Sequence, residues 1–221
     1  YQTEACWEIE KAALFQLKPF FPHFDDVGNS WVEGNCCRWN WVECSTSTGR
    51  VTRLFLEFSY VGDKKDIYSA RRYFNLSLFF PFKELKSLNL RGNTIAGFIH
   101  NQGIKRSSKL NKLKILDLSE NKLLEKNILS HLPEFTSLKT LFLENCGLQG
   151  SFDILDLSNL NNLKELYLSS NQIESLGSLF RNVSQHNYLL TYTTFEELNQ
   201  NTVYAIINYT FTERTIEVGE T

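Results

Sequence analysis

The sequence predicts an α/β solenoid, in which a short repeated motif builds a curved parallel β-sheet and a disulfide-stapled cap closes its amino-terminal end. Three observations carry that expectation. One leucine pattern is written four times between residues 85 and 171, four of the five cysteines fall within the first 44 residues, and an amphipathic stretch with helical period precedes the repeats. At 221 residues and 42% hydrophobic, the chain can bury a sizeable core.

The amphipathic stretch comes first. Ile9, Ala12, Ala13, Leu14 and Leu17 recur near a 3.6-residue period and make one face of a short helix that ends before Pro19. Cys6, Cys36, Cys37 and Cys44 surround it. Joining the neighbours Cys36 and Cys37 would close a strained ring, which leaves two pairings, both of which need an oxidising compartment. A solenoid's first coil exposes its core at one end, and a stapled helix and hairpin laid over that end supplies the cover.

The repeat itself places leucine at its first, fourth and sixth positions. The copies read Leu85-KS-Leu88-N-Leu90-RG-Asn93, Leu113-KI-Leu116-D-Leu118-SE-Asn121, Leu138-KT-Leu141-F-Leu143-EN-Cys146 and Leu163-KE-Leu166-Y-Leu168-SS-Asn171. They recur about every 25 residues, and a weaker fifth copy precedes them in Val51-TR-Leu54-F-Leu56-EF-Ser59. The Leu-x-Leu step has the period of a strand, so five short parallel strands are expected with both leucines inward. The ninth position falls at a turn, where a short polar side chain can satisfy backbone groups otherwise buried unpaired. Asn93, Asn121 and Asn171 form that ladder, and Cys146, in the same column, reads as a small buried residue with a weak donor.

The spacing Leu-xx-Leu-x-Leu-xx-Asn/Cys resembles that of leucine-rich repeats, and Gly97-Phe-Ile99 and Gly150-Ser-Phe152 continue two copies as the plant-specific subclass does. His100 and Asp153 then stand where that subclass usually has proline, and the copies beginning at Leu113 and Leu163, third and fifth in chain order, lack the glycine. The segment Cys6-WEIEKAALFQLK, Ser30-Trp31, Asn35-Cys36-Cys37-Arg-Trp39-Asn-Trp-Val42-Glu-Cys44 and Thr48-Gly49-Arg50-Val51 resembles the amino-terminal cap of plant leucine-rich-repeat receptors. Receptor-like proteins, which lack a kinase, are most similar, particularly through Asn75-LSLFFPFKELKSLNL. The resemblance implies a leucine-rich-repeat solenoid with Cys6 paired to Cys36 and Cys37 to Cys44, and with Trp31 and Trp39 filling the cap core. Loops of about 31 and 8 residues closed in this way would stabilise the cap by roughly 3.7 and 2.5 kcal/mol through lost chain entropy.

In a solenoid the outward positions of adjacent strands align into columns, and a concave sheet of such columns is a binding surface. At about 4.8 Å per strand, five strands span on the order of 20 Å, enough for a short peptide or one edge of a protein. One column reads Phe55, Asn89, Asp117, Phe142, Tyr167; the next reads Glu57, Arg91, Ser119, Glu144, Ser169. Aromatics beside charges are the residue types of binding hot spots, which makes Arg91, Phe142, Glu144 and Tyr167 the candidate ligand contacts. Lys86, Lys114, Lys139 and Lys164 form a further column. It could hold an acidic polymer, but lysine stems that cover apolar surface while keeping the face soluble are the stronger reading.

Catalysis finds no support in the pattern. His23, His100, His131 and His186 are scattered without metal-ligand spacing, and no P-loop, GxSxG or kinase signature occurs. No cofactor, metal or catalytic residue is therefore expected. A net charge of −2 without long like-charged runs points away from nucleic acid, and no stretch reaches the roughly 18 apolar residues of a membrane helix. The chain has no methionine and opens Tyr-Gln-Thr-Glu, as expected after removal of a secretion signal. Sequons at Asn75, Asn182 and Asn208 fit an extracellular, glycosylated protein.

Three regions follow: residues 1–50 as the cap, 51–185 as about five repeats, and 186–221 as a non-repeat tail. Within that tail Thr194–Leu198 could open a helix and Thr210–Val218 alternates like a strand. Unless the tail folds over them, Leu163, Leu166 and Leu168 of the last coil would face water. The expected function is non-catalytic recognition at the cell surface, with a peptide or protein ligand on the concave face, in defence or developmental signalling. Membrane attachment and a co-receptor kinase partner are expected only if the chain is part of a longer receptor. A small secreted inhibitor or decoy similar to polygalacturonase-inhibiting proteins is the alternative.

Overall fold

The computed structural model describes residues 6–21, 31–57, 72–99, 110–123, 135–151, 160, 162–175 and 189–191. Helix α1, Glu8–Leu17, opens with Glu8 and Glu10 in its first turn, where acidic side chains favour the helix N-terminus. It passes into a 3-10 turn over Lys18–Phe20 that contains Pro19. The buried face is Glu10, Ala13, Leu14 and Leu17. This corrects the expected face by part of a turn, since Ile9 is 61% exposed and Ala12 faces solvent. Glu10 takes the core position because it has two partners there. Its carboxylate accepts the backbone N–H of Val51 at 2.9 Å and pairs with Arg50 Nε at 2.9 Å. Arg50 also lies 4.2 Å from the centroid of the Trp7 ring.

Disulfides join Cys6 to Cys36 and Cys37 to Cys44, with Cα–Cα distances of 5.3 and 5.5 Å. Asn35 holds both in place: its Oδ1 accepts the backbone N–H groups of Cys6 and Cys37. The sulfurs of Cys6, Cys36 and Cys37 lie within 4.8 Å of one another because two disulfides adjoin, which accounts for the cluster without a metal. Trp31 and Trp39 are buried and stack at 5.8 Å.

Strand β1, Val42–Cys44, pairs antiparallel with β2, Val51–Phe55, and completes the cap hairpin. From β2 onward the strands run parallel: β4, Ser87–Asn89; β6, Ile115–Asp117; β7, Thr140–Phe142; β9, Glu165–Tyr167; and β11, Leu189–Thr191. The inward register Leu54–Leu88–Leu116–Leu141–Leu166 runs through the sheet, and each of these leucines is fully buried. Two shorter parallel pairs lie elsewhere: β3, Arg72–Phe74, with β5, Ile95–Phe98; and β8, Gln149–Ser151, with β10, Gln172–Ser175. Thus β10 forms after the copy Leu163–Asn171 although that copy lacks the glycine of its counterparts. Phe74 and Phe79 stack at 5.6 Å, and Phe74 also meets Phe21 at 5.8 Å, joining cap and repeats in one core.

The polar ladder crosses this core. Asn93 Nδ2 donates to Leu56 O and Leu90 O, Asn121 Nδ2 to Leu90 O and Leu118 O, and Asn171 Nδ2 to Leu143 O and Leu168 O, so each asparagine ties its own turn to the preceding coil. Cys146 does likewise, its thiol donating to Leu118 O at 3.2 Å. The residue before each ladder position adopts a left-handed φ: Gly92 at 73°, Glu120 at 58°, Asn145 at 50° and Ser170 at 58°.

Leu163, Leu166 and Leu168 are buried, and β11 pairs with β9 in register, Leu190 opposite Leu166. That strand lies within the stretch set apart as a tail. The proposed helix at 194–198 and strand at 210–218 lie outside the described residues, as do His23, His100, His131 and His186. Among the described residues, no helix is long and apolar enough to cross a membrane.

Candidate ligand-binding face

The parallel register brings Phe55, Asn89, Asp117, Phe142 and Tyr167 into one row on the sheet, one residue per strand. Phe142 and Tyr167 stack at a centroid distance of 4.3 Å with planes 15° apart. Neither ring is buried, so a rigid aromatic platform faces outward. Arg53 lies 5.1 Å over the Phe55 ring and pairs with Glu43 at 3.3 Å.

The second expected row is only partly outward. Glu57, Arg91 and Glu144 reach the surface, whereas Ser119 and Ser169 are buried. Ser119 folds back to the sheet, its Oγ accepting the backbone N–H of Glu144, whereas the Ser169 hydroxyl donates to the Glu144 carboxylate on this face. Arg91 is engaged by Glu120 at 2.7 Å, a bond that raises its pKa. It forms an ion pair at one side of the row and stands apart from the aromatic stack.

Four carboxylates on this face are held by neutral donors. Glu57 accepts from the Asn89 amide at 2.9 Å, Asp117 from the Ser119 N–H at 2.8 Å, Glu144 from the Ser169 hydroxyl, and Glu165 from the Thr140 hydroxyl at 2.8 Å. Burial pushes the Asp117 pKa up, opposed by the Ser119 N–H and by Arg91. The Tyr167 hydroxyl is pushed up by burial, then by the charges of Glu165 and Glu144, which places both carboxylates within electrostatic reach of the aromatic pair. Glu165 and Thr140 were not among the sequence candidates. Their signal was their place in the row beside Phe142 and Tyr167, two residues earlier on each strand and so on the same side of the sheet.

The lysine column is also in register. The backbone N–H of Lys114 donates to Lys86 O, that of Lys139 to Lys114 O and that of Lys164 to Lys139 O, each at 2.8 Å, and all four side chains are exposed. Asn75 is half-buried at the end of β3, while Asn182 and Asn208 lie outside the described residues. Cys146 is free and buried, and burial pushes its thiol up to about 12, which keeps it neutral and unreactive.

Residues 9–45 match the leucine rich repeat N-terminal domain, residues 112–135 the leucine rich repeat, and residues 136–181 leucine rich repeats in two copies. Receptor-like protein 9b of Arabidopsis thaliana is 37% identical over 174 residues, which cover 76% of this chain and 17% of that protein. Cuscuta receptor 1 of Solanum lycopersicum is 33% identical over 195 residues, covering 80% and 17%. Among solved structures, the leucine-rich-repeat ectodomain of the receptor kinase SOBIR1 from Arabidopsis thaliana shares the fold, with a TM-score of 0.50 at 20% identity over 85% of this chain and 93% of that one.

Sheet, ladder and cap together define a leucine-rich-repeat solenoid with a disulfide-stapled amino-terminal cap. The chain belongs to the plant leucine-rich-repeat receptor-like proteins, a family typically non-catalytic. It spans about 17% of the length of the curated relatives it matches.

Proposed function

We propose that the chain is an extracellular recognition module that takes a peptide or protein ligand on the exposed face of its parallel sheet, within a cell-surface receptor-like protein of defence or developmental signalling. The observation that carries this reading is the stacked pair Phe142–Tyr167 flanked by Glu144 and Glu165. A preorganised aromatic platform loses little freedom on binding, and such rings are the commonest anchors of interfaces.

The charge pattern selects the ligand. Glu57, Asp117, Glu144 and Glu165 are hydrogen-bonded to neutral groups, while Arg91 and Arg53 are already paired with Glu120 and Glu43. Glu144 and Glu165 therefore bring negative charge locally to the two aromatic rings, while the exposed column Lys86, Lys114, Lys139 and Lys164 balances it along the same strands. A lysine or arginine of the ligand, set over Tyr167 or Phe142, would gain from the ring and the carboxylates together. If the chain is one end of a longer receptor, a co-receptor kinase is the expected second partner.

Selection of a random peptide library on the secreted, disulfide-intact chain tests this. Enriched peptides are expected to share a basic residue and to bind more weakly at high salt, since exposed charge pairs are screened. Peptides enriched without basic residues would refute the charge argument. Inhibition of a polygalacturonase by the purified chain would favour the inhibitor reading instead.

A further inference from the structure

We propose that Asn75 carries an N-linked glycan whose first sugar packs over the Tyr73 ring and shields the exposed apolar edge of the β3–β5 pair. Asn75-Leu-Ser77 is a sequon, and its geometry suits the modification. Phe74 is buried while Tyr73 is 48% exposed, and Asn75 keeps an extended backbone at φ −92° and ψ 106°. The two-residue period of an extended chain therefore puts the Tyr73 and Asn75 side chains on the same, outward side. Asn75 Oδ1 accepts the Ser77 N–H at 2.9 Å, which orients the amide and leaves Nδ2 without a protein acceptor among the described residues.

The neighbouring strand adds a second apolar group. Tyr73 stands opposite Gly97, which has no side chain to cover it, and Phe74 opposite Phe98. Ile99 follows, 48% exposed, with its N–H donated to Phe74 O at 2.9 Å. Tyr73 and Ile99 thus flank the sequon with apolar surface left open to water, and a sugar ring carries an apolar face able to cover it.

This inference rests on the extracellular reading, because the donor is a polyisoprenyl-pyrophosphate-linked oligosaccharide of the secretory pathway. A bond forms between Asn75 Nδ2 and the anomeric carbon of the first sugar, the amide nitrogen loses a proton, and the polyisoprenyl pyrophosphate leaves with the electron pair of the broken C–O bond. The β3–β5 pair is a separate sheet from the seven-stranded one, so a glycan here leaves the row of Phe142 and Tyr167 uncovered.

The test is glycopeptide mass spectrometry on the full chain secreted from plant cells with its glycans held in the high-mannose form, followed by trimming to a single sugar and thermal melting. Asn75 should be occupied. Ser77→Ala removes the sequon but keeps the Asn75 amide and the residue 77 N–H, and it should lower Tm by about 2–4 °C relative to the single-sugar protein. In a Tyr73→Ser background that difference should vanish. A bare Asn75 in secreted protein with both disulfides formed would overturn the proposal while leaving the extracellular reading intact. An undiminished Ser77→Ala effect in the Tyr73→Ser background would overturn the packing on Tyr73.

Discussion

Single residues reveal where the coil is under strain. Each turn from strand to ladder passes through a left-handed φ, and only the second copy meets it with glycine, Gly92; the others use Glu120, Asn145 and Ser170. A side chain in that conformation costs roughly 1 kcal/mol. Ser170 is exposed, so Ser170→Gly should stabilise the chain by about 0.5–1 kcal/mol in urea unfolding. Cys146 should resist thiol reagents at pH 8 in the native chain and react once it is denatured, because burial holds the thiol neutral. Glu10 is the clearest residue that sequence reasoning missed. The helical period was legible, but a glutamate reads as solvent-facing until Arg50 and the Val51 N–H, forty residues on, are seen to receive it. Glu10→Ala would orphan both partners and should cost about 2–4 kcal/mol. Glu10→Gln should cost less, since it keeps an acceptor for Val51 and carries no charge to desolvate. Burial raises the Glu10 pKa above its ordinary 4.5, so its favourable contribution is complete below that value and lost as the pH rises through the folded one. The melting temperature of the wild type relative to Glu10→Gln should accordingly climb as the pH is lowered from 7 toward 4.

Among the elements, the strands of the main sheet were the most legible. Leu-x-Leu writes the strand period, and its recurrence about every 25 residues writes the parallel stacking, so two independent signals agree. The pairs β3–β5 and β8–β10 were less so, because β3 and β10 carry neither paired leucines nor the glycine that follows two of the repeats. Strand β11 was not recognised, since Leu190 matches Leu166 in register without the other leucines of the pattern. The ladder is the element whose removal should be felt most widely. Asn121 is fully buried; its Nδ2 donates to Leu90 O, Leu118 O and Ser119 O, and its Oδ1 accepts the Ile95 N–H. Asn121→Ala leaves several of these groups unpaired at once and should cost on the order of 3 kcal/mol, read by chemical denaturation. The candidate rows were half legible in the same physical sense. Strand alternation put Phe142, Tyr167 and Glu144 outward, but it could not show that Ser119 and Ser169 are buried, one against the Glu144 N–H and the other beneath the Glu144 carboxylate.

For the molecule as a whole, the capped solenoid presents a row of side chains one strand apart, and its chemistry is set by which charges the fold brings beside the aromatic pair. The cap closes one end, with Glu10 and the aromatic contacts of Phe21 and Phe74 welding it to the first coils. The parallel register then carries the row from Phe55 to Tyr167. Ligand recognition belongs to that row. The most direct measurement is the affinity of a library-selected basic peptide for three secreted proteins: wild type, Phe142→Ala/Tyr167→Ala, and Tyr73→Ser on the separate β3–β5 pair. Loss of two interface anchors should weaken binding at least about tenfold, with Tyr73→Ser equal to wild type. Equal affinity in all three proteins would place recognition elsewhere and contradict the account.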